Sequence, residues 1–292
     1  MYKAGTGAEN TGEVMDLGVR TDLAMEAESL WRQSAGKTTA LHGVKARSWK
    51  EQDLELTQVE ILEEQGAEAL GKPKGTYLTL EAPELDRRGP ETAEVLGRYL
   101  TEFLKIRPED RVLVVGLGNR EITPDRIGPD TAGEIFVTAH LKEQMPELFG
   151  GIRPVYALTP GVLGATGMES AHLVAAAAER LRPDRILAVD ALAAGDRDRL
   201  CRAIQLTDAG IVPGSGVGNS RAELSQRVLG VPVCALGVPT VMDAGAPGEE
   251  PLMVTPRDID ARVRRFSHLL AAGIHQALFP DWTGDEIAQL RN

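Results

Sequence analysis

The chain has 292 residues but only two cysteines and five histidines. Cys201 and Cys234 form no Cys-X-X-Cys motif, and two cysteines cannot encode a disulfide framework. None of the histidines stands at a spacing typical of a metal site, such as His-Glu-X-X-His. These absences argue against a disulfide-stapled protein and against the common metalloenzyme motifs. We therefore expect neither a metal nor another cofactor, and the reduced thiols favour a cytoplasmic compartment.

Long apolar runs and an excess of positive charge are also missing. No stretch reaches the ~18–20 apolar residues that cross a bilayer, and the first ten residues lack the basic and apolar regions of a signal peptide. The formal net charge is -11, which argues against a surface that binds nucleic acid directly. We expect no contact with membrane or nucleic acid, although this charge does not exclude a protein substrate that is itself bound to DNA.

The pattern of polar and apolar segments predicts a leader followed by one large region. Residues 1–16 are rich in Gly, Glu and Thr and cannot bury much surface, which predicts a mobile propeptide. From residue 90 onward helical and strand-like segments alternate, which predicts an α/β fold with a mainly parallel sheet and helices on both faces. Segment 50–90 contains two strand-like runs and favours a small additional β-containing subdomain or an added sheet edge. We therefore predict a single α/β domain over 17–292.

Individual elements follow from periodicity and from turn residues. The predicted strands are 55–62, 76–81, 111–116, 153–158, 186–190, 202–206 and 231–236. The predicted helices are 65–70, 90–105, 129–142, 169–181, 221–228 and 257–278.

Two aspartates follow apolar runs that are typical of buried strands. Asp125 comes shortly after Val112–Asn119, and Asp190 ends the run Ile186–Asp190. The C-terminal ends of parallel strands line one crevice, where ligands bind. Two carboxylates delivered to that crevice can share a proton and activate a water, the chemistry of peptide hydrolysis by an acid dyad. Either acid alone also fits a structural role, as a helix cap or a buried hydrogen-bonded acid.

The loop Gly116-Leu117-Gly118-Asn119 follows a strand, as a dinucleotide-binding fingerprint would. The third glycine of that fingerprint is replaced by Glu121, which would repel a pyrophosphate. Nucleotide binding is therefore disfavoured. We predict that Gly116, Gly118 and Asn119 turn the chain out of the sheet and contact the substrate.

A second glycine-rich loop precedes a predicted helix. Its candidate site residues are Gly214, Ser215, Gly216, Gly218 and Asn219. Successive backbone N–H groups in such a loop can form an oxyanion site, although a tight turn explains the glycines equally well. Ser215 is not framed as a serine nucleophile, because Pro213 occupies the first glycine of Gly-X-Ser-X-Gly and no histidine is placed as its base.

Many ordered sequence blocks together resemble the germination protease family of spore-forming bacteria. They are Val19–Ala24, Leu70–Pro73, Gly75–Tyr77, Leu80–Pro83, Gly116–Asn119, Thr123–Asp125, Ala157–Val162, Asp190–Ala194, Pro213–Asn219 and Gly237–Thr240. Their number and order make the resemblance specific over roughly residues 19–243, whereas the four-residue glycine loop alone would not.

The resemblance implies a phosphorylase/hydrolase-like α/β sheet and an aspartic-type endopeptidase, with proposed catalytic acids that match Asp125 and Asp190. It also implies a zymogen that forms homotetramers in the spore core and cleaves small acid-soluble spore proteins early in germination. The segment Glu13–Arg20 places acids before an apolar residue, which resembles the acidic-then-apolar sites that the family cuts. We therefore predict autoprocessing between Asp16 and Leu17.

Two alternatives to the acid dyad use the same residues. In the first, the acids hold a metal cation and its bound water, as in a metal-assisted peptidase. In the second, the protein is a non-catalytic binder in which the acids cap helices and the glycine loops hold a small anion.

Overall fold

The structure is a computed structural model that describes residues 20–35, 41–214, 221–245 and 252–291. The strands are β1 (Val44–Glu51), β2 (Leu54–Ile61), β3 (Gly75–Glu81), β4 (Val112–Gly116), β5 (Val155–Leu158), β6 (Arg185–Ala194), β7 (Ala203–Thr207), β8 (Val233–Asp243) and β9 (Met253–Val254). The helices are α1 (Ala24–Ala35), α2 (Glu64–Leu70), α3 (Pro90–Leu104), α4 (Ile127–Glu134), α5 (Ala139–Gln144), α6 (Pro146–Phe149), α7 (Leu163–Thr166), α8 (Ser170–Leu181), α9 (Gln226–Leu229), α10 (Ile259–Leu278) and α11 (Gly284–Arg291). Short 3₁₀ turns lie at Leu85–Arg87, Thr123–Asp125 and Arg197–Arg199.

The strands form one mixed sheet in the order β1-β2-β3-β7-β8-β6-β4-β5, with β9 paired to β8. Pairing is parallel only between β5, β4, β6 and β8, and antiparallel elsewhere. The prediction of a mainly parallel sheet is therefore wrong for the β1-β2-β3-β7 half. Connections such as 195–202, between β6 and β7, are too short for the crossover of about a dozen residues that parallel strands need.

Alternating residues of β4 show that helices cover both faces of the sheet, as predicted. Val112 and Val114 pack in a core with residues of α3, α4 and α10. Leu113 and Val115 face the other side and pack in a core with residues of α8. All four side chains are fully buried, as expected for a central strand covered on both faces.

Most predicted elements lie within a few residues of the observed ones, and two predicted helices are wrong in extent. The helix predicted over 129–142 is broken into α4 and α5, because the Thr138 hydroxyl accepts a hydrogen bond from the Val155 N–H (2.9 Å) and ties the chain to β5. The helix predicted over 221–228 shrinks to α9, because Leu224 pairs instead with Ile211 as an isolated antiparallel bridge.

The strands β2 and β3 of segment 50–90 pair with β1 and β7, so they extend the sheet as an added edge. The division into a leader and one domain stays a prediction, and residues 1–16 lie outside the described part of the chain. Strand β1, helix α1 and helix α11 had no counterpart in the sequence prediction. Among the helices of the described ranges, none is both long and apolar enough to span a bilayer.

The sheet changes direction of winding between β4 and β6. From β4 the chain passes through α4 to β5 on one side, and after α8 it returns to β6 on the other side. In α/β sheets such a switch point opens a crevice at the C-terminal ends of the strands. β4 ends at Gly116, where the Leu117 N–H still donates to the Val189 carbonyl of β6 (2.8 Å). The crevice therefore opens beside Asp190, the next residue of β6.

Helix α4 begins in direct backbone contact with the end of β4. A Cβ atom on Gly128 would lie 2.1 Å from the Leu117 carbonyl oxygen and 2.3 Å from that of Val189. A Cβ atom on Gly116 would lie 2.2 Å from the Gly128 oxygen. Only glycine permits this approach, so both glycines fix how closely the loop after β4 lies against α4.

Because of this contact we expect Gly128→Ala to destabilise the protein by about 1–3 kcal/mol, the usual cost of forcing extra atoms into a packed region. Chemical denaturation measures the free energy of unfolding. Gly284→Ala is the matched control, since a Cβ atom there meets nothing within 4 Å. Equal stability of the two variants would contradict the packing described here.

Candidate active site

A cavity of about 660 Å³ opens at the switch point between β4 and β6. It is lined by the loop after β4, by the end of β6 and by residues of β8, β9 and the loop before α8. The lining residues that bear on chemistry are Asp22, Gly118, Asn119, Asp125, Glu169, Ser170, Asp190, Gly214, Arg221, Thr240 and Thr255. The cavity brings together both sequence-predicted acids, Gly118 and Asn119 of the first glycine-containing loop, and Gly214 at the start of the second.

Asp125 is the last residue of a 3₁₀ turn that folds back onto the loop after β4. Its carboxylate accepts a hydrogen bond from the Asn119 N–H (2.7 Å). Gly118 has a φ of 119°, and a Cβ atom there would lie 2.0 Å from the Asp125 carbonyl oxygen. Helix α4 starts after Arg126 without a side-chain cap. Asp125 is therefore not the helix cap that the sequence allowed, and its carboxylate lines the cavity.

Asp190 lies inside β6, which continues to Ala194 instead of ending at the acid as predicted. The reason is that β8 also continues, so Asp190 pairs with Gly237 and the ladder runs on past the cavity to Met242. The side chain is buried and accepts a hydrogen bond from the Ala191 N–H (2.9 Å). It caps no helix.

Burial favours protonation of both acids, and repulsion by neighbouring carboxylates adds to the effect at Asp190. Burial raises the pKa of the Asp125 carboxyl to about 6, against the opposing effect of the Asn119 N–H. Burial raises the pKa of Asp190 well above its ordinary value, and the negative charges of Asp125 and Asp22 raise it further. Each carboxyl group therefore keeps its proton to a higher pH than an ordinary aspartate does.

Asp22 is a third acid of the cavity that sequence reasoning did not identify. Its N–H donates to the Ala193 carbonyl (2.9 Å), and its carboxylate accepts from the Ala193 N–H (2.8 Å), three residues beyond Asp190. The Lys72 ammonium donates to the Thr21 carbonyl (2.7 Å). These contacts hold the segment that precedes α1 against the end of β6. Asp22 belongs to the block Val19–Ala24, which contributes to the family resemblance. The hydrophobic pattern of that block did not reveal that Asp22 lies on the same cavity as Asp125 and Asp190.

Thr240 was also missed as a residue of the cavity. It lies in β8 at the irregularity in the β6–β8 ladder, where Leu192 pairs with Pro239 and Ala193 pairs with Val241. Its hydroxyl oxygen is buried without a hydrogen-bond partner. A buried hydroxyl that lines a cavity can serve a ligand that enters it.

The predicted substrate-binding glycines have different positions. Gly118, Asn119 and Gly214 line the cavity, whereas Gly116 ends β4 and does not. The Asn119 side chain accepts from the Glu121 N–H (3.0 Å), so this residue also holds its own loop together. The remaining predicted residues lie outside the described part of the chain: Ser215, Gly216, Gly218, Asn219, Asp16 and Leu17. Their roles stay predictions.

The described residues offer no evident metal site. Within them, no group of three or more His, Cys, Asp or Glu side chains is arranged to hold a metal ion.

The family model and the similar sequences point to one family. Residues 21–249 match the germination protease family, Peptidase_A25. The chain is 37% identical to the germination protease of Caldanaerobacter subterraneus subsp. tengcongensis, over 95% of this chain and 99% of the relative. It is 37% identical to that of Clostridium tetani over 90% and 96%, and 44% identical to that of Priestia megaterium over 77% and 64%. A solved structure, the [NiFe] hydrogenase maturation protease HycI of Thermococcus kodakarensis, shares 20% identity with a TM-score of 0.37, over 60% of this chain and 98% of that one.

The raised pKa of Asp125 leads to a stability prediction. Below about pH 4 the carboxyl is protonated in both states, so its titration has no effect on stability. Between about pH 4 and pH 6 the unfolded chain releases the proton and the folded chain keeps it, so the free energy of unfolding falls as the pH rises. We expect Asp125→Asn to gain on the order of 2 kcal/mol over the wild type at pH 7 relative to pH 4.

Urea denaturation of both proteins at pH 4 and pH 7 measures this difference. Measurement at two pH values provides the control. If the asparagine side chain of the variant changed only the packing, the stability difference from the wild type would be the same at both pH values. A difference in stability that is the same at pH 4 and pH 7 would show that folding does not raise the pKa of Asp125.

Proposed function

The chain belongs to the germination protease family, and on that premise we propose that it is the endopeptidase that begins the degradation of small acid-soluble spore proteins during spore germination. The observation that carries the proposal is the half-buried Asp125 and the buried Asp190 on one cavity, both with raised pKa values. An acid dyad needs such a pair, since one carboxyl must be ionised while the other is protonated.

The unequal burial of the two acids supports a division of labour. Near neutral pH Asp125 is the ionised member, because its pKa is about 6, and the shared proton resides on the more deeply buried Asp190. Asp125 takes a proton from a water molecule as the water oxygen attacks the scissile carbonyl carbon. Asp190 meanwhile donates a hydrogen bond to the carbonyl oxygen. The C–N bond then breaks as the leaving amine receives the proton that Asp125 took.

The rest of the cavity suits an extended peptide. Its lining includes the solvent-exposed apolar side chains of Ile122, Leu163 and Met253, which can pack against substrate side chains. The backbone N–H groups of the loop that starts at Gly214 are proposed donors to the developing oxyanion. The Asn119 N–H is already bonded to Asp125, so it orients the base.

We also propose that the protein is made as a zymogen and acts as a homotetramer in the spore core. The segment at Asp22 supports processing within one chain, because its bonds to Ala193 hold it at the cavity. Leu17 stands five residues earlier, and five residues span at most about 17 Å. We propose that the dyad of the same molecule cuts the bond between Asp16 and Leu17.

The metal-assisted peptidase is the main rival. It would use the same two acids, Asp125 and Asp190, to hold a cation and its water. Retention of full activity after dialysis against EDTA would argue against it, and loss that is restored by added Zn²⁺ or Mg²⁺ would favour it. The second rival, a non-catalytic binder of small anions, is disfavoured by membership of a peptidase family.

The dyad makes a prediction for activity. Asp125→Asn and Asp190→Asn are each expected to lower kcat for cleavage of a small acid-soluble spore protein by at least about 1,000-fold, with little change in KM, because each removes a proton-transfer group without removing binding surface. Asp130→Asn is the matched control. It removes a nearby carboxylate that pairs with Arg126 and does not line the cavity.

Activity close to the wild-type value in either dyad variant would refute the mechanism. Thermal unfolding of each variant is measured in parallel, so that a loss of folded protein is not mistaken for a loss of chemistry.

The zymogen proposal predicts the release of residues 1–16. Intact-mass measurements over time at mildly acidic pH are expected to show this loss in the wild type and not in Asp125→Asn. Incubation of Asp125→Asn with a small amount of wild type separates the routes, since processing within one chain leaves the variant uncut. Equal loss in both proteins incubated alone would assign the cut to an outside protease and count against autoprocessing.

A further inference from the structure

The described part of the cavity lining contains four acidic side chains and one basic side chain. The acids are Asp22, Asp125, Glu169 and Asp190, and the cation is Arg221. The acids of the dyad must remain poorly solvated to keep their shared proton. A substrate that brings a further carboxylate into this cavity meets repulsion everywhere except at the guanidinium.

Arg221 is held in place by its backbone. Its N–H donates to the Pro213 carbonyl (3.0 Å), at the base of the glycine loop. Two further hydrogen bonds between Ile211 and Leu224 (2.9 and 2.8 Å) make a short antiparallel stalk beneath it. Leu224 is fully buried, so the stalk is anchored in the core. The guanidinium is therefore presented from a fixed point on the cavity wall.

Its ion pair leaves the guanidinium able to bind a ligand. The Arg221 Nη1 and Glu169 Oε1 atoms are 3.6 Å apart, which is longer than a good charge-assisted hydrogen bond. Both side chains are partly exposed. Glu169 is the N-cap residue of α8, where the positive end of the helix dipole already stabilises a carboxylate. An arginine has five N–H donors, so this one loose contact leaves donors for an incoming carboxylate.

We propose that Arg221 is the specificity-determining residue that binds an acidic side chain of the substrate close to the scissile bond. The exposed apolar residues Ile122, Leu163 and Met253 supply a neighbouring subsite for a large apolar side chain. Cleavage sites that pair an acidic with an apolar residue are then selected by the cavity itself. This inference rests on the proposed peptidase function and adds the residue that selects the site.

The test uses a peptide that the wild-type protein cleaves, with each acidic residue within three positions of the scissile bond changed in turn to glutamine. We expect one position at which this change lowers kcat/KM of the wild type roughly 10- to 100-fold, the effect of a charge-assisted hydrogen bond. In Arg221→Gln the same change should have little effect, and Arg221→Lys should retain part of the preference.

Two further variants make the test directional. Glu169→Gln removes a competing carboxylate and is expected to raise the preference for the acidic peptide. Arg221→Glu is expected to prefer a peptide with lysine at the selected position. Arg227→Gln is the matched control, because Arg227 lies six residues away, pairs with Glu223 and does not line the cavity.

The outcomes separate this inference from the proposed function. Cleavage by the wild type with no preference for an acidic residue, or an unchanged preference in Arg221→Gln, would overturn the role of Arg221 and leave the peptidase intact. If the wild type cleaves neither peptides nor spore proteins, the proposed function fails, and this inference fails with it.

Discussion

The architecture of the site depends on one backbone contact, the approach of α4 to the end of β4. Gly128 lies against the Leu117 and Val189 carbonyls with no room for a Cβ atom. The contact forces the chain after β4 to turn back over the edge of the sheet, and this turn brings Asp125 over the strand that carries Asp190. A side chain at Gly128 would push α4 away from the strand ends and separate the acids. Glycine at this position is therefore explained by the close packing of α4 against the strand ends.

The low solvation of Asp125 and Asp190 has an energetic cost that the surrounding core must offset. Burying two carboxyl groups beside each other disfavours the charged forms, so both pKa values rise. Part of this cost is reduced by backbone N–H groups, from Asn119 to Asp125 and from Ala191 to Asp190. The remaining cost in folding free energy is offset by the central strands, whose side chains are fully buried on both faces of the sheet. A stable sheet can thus hold two poorly solvated acids beside a crevice, where ligands commonly bind.

The sequence was sufficient to place the two acids on one cavity because both follow apolar runs that form neighbouring parallel strands, although β6 continues past Asp190. It was insufficient for the orientation of β7 and the N-terminal strands, since alternation of helix and strand says nothing about segments joined by short turns. It was also insufficient for Asp22 and Arg221. Asp22 reaches the cavity through bonds to Ala193, which is 171 residues away. Such long-range pairings depend on the assembled sheet, and no local pattern encodes them.

The charge of the cavity explains why a single arginine can have a large effect. The protein carries a net charge of -11, and its cavity repeats that sign around the dyad. Acidic substrates are therefore repelled both at long range, where salt screens the field, and inside the cavity, where screening is weak. The long-range repulsion acts on every acidic protein alike and cannot select a cleavage site. A guanidinium fixed on a buried stalk acts only on a carboxylate that enters the cavity in one register, so repulsion elsewhere sharpens the choice of site that Arg221 makes.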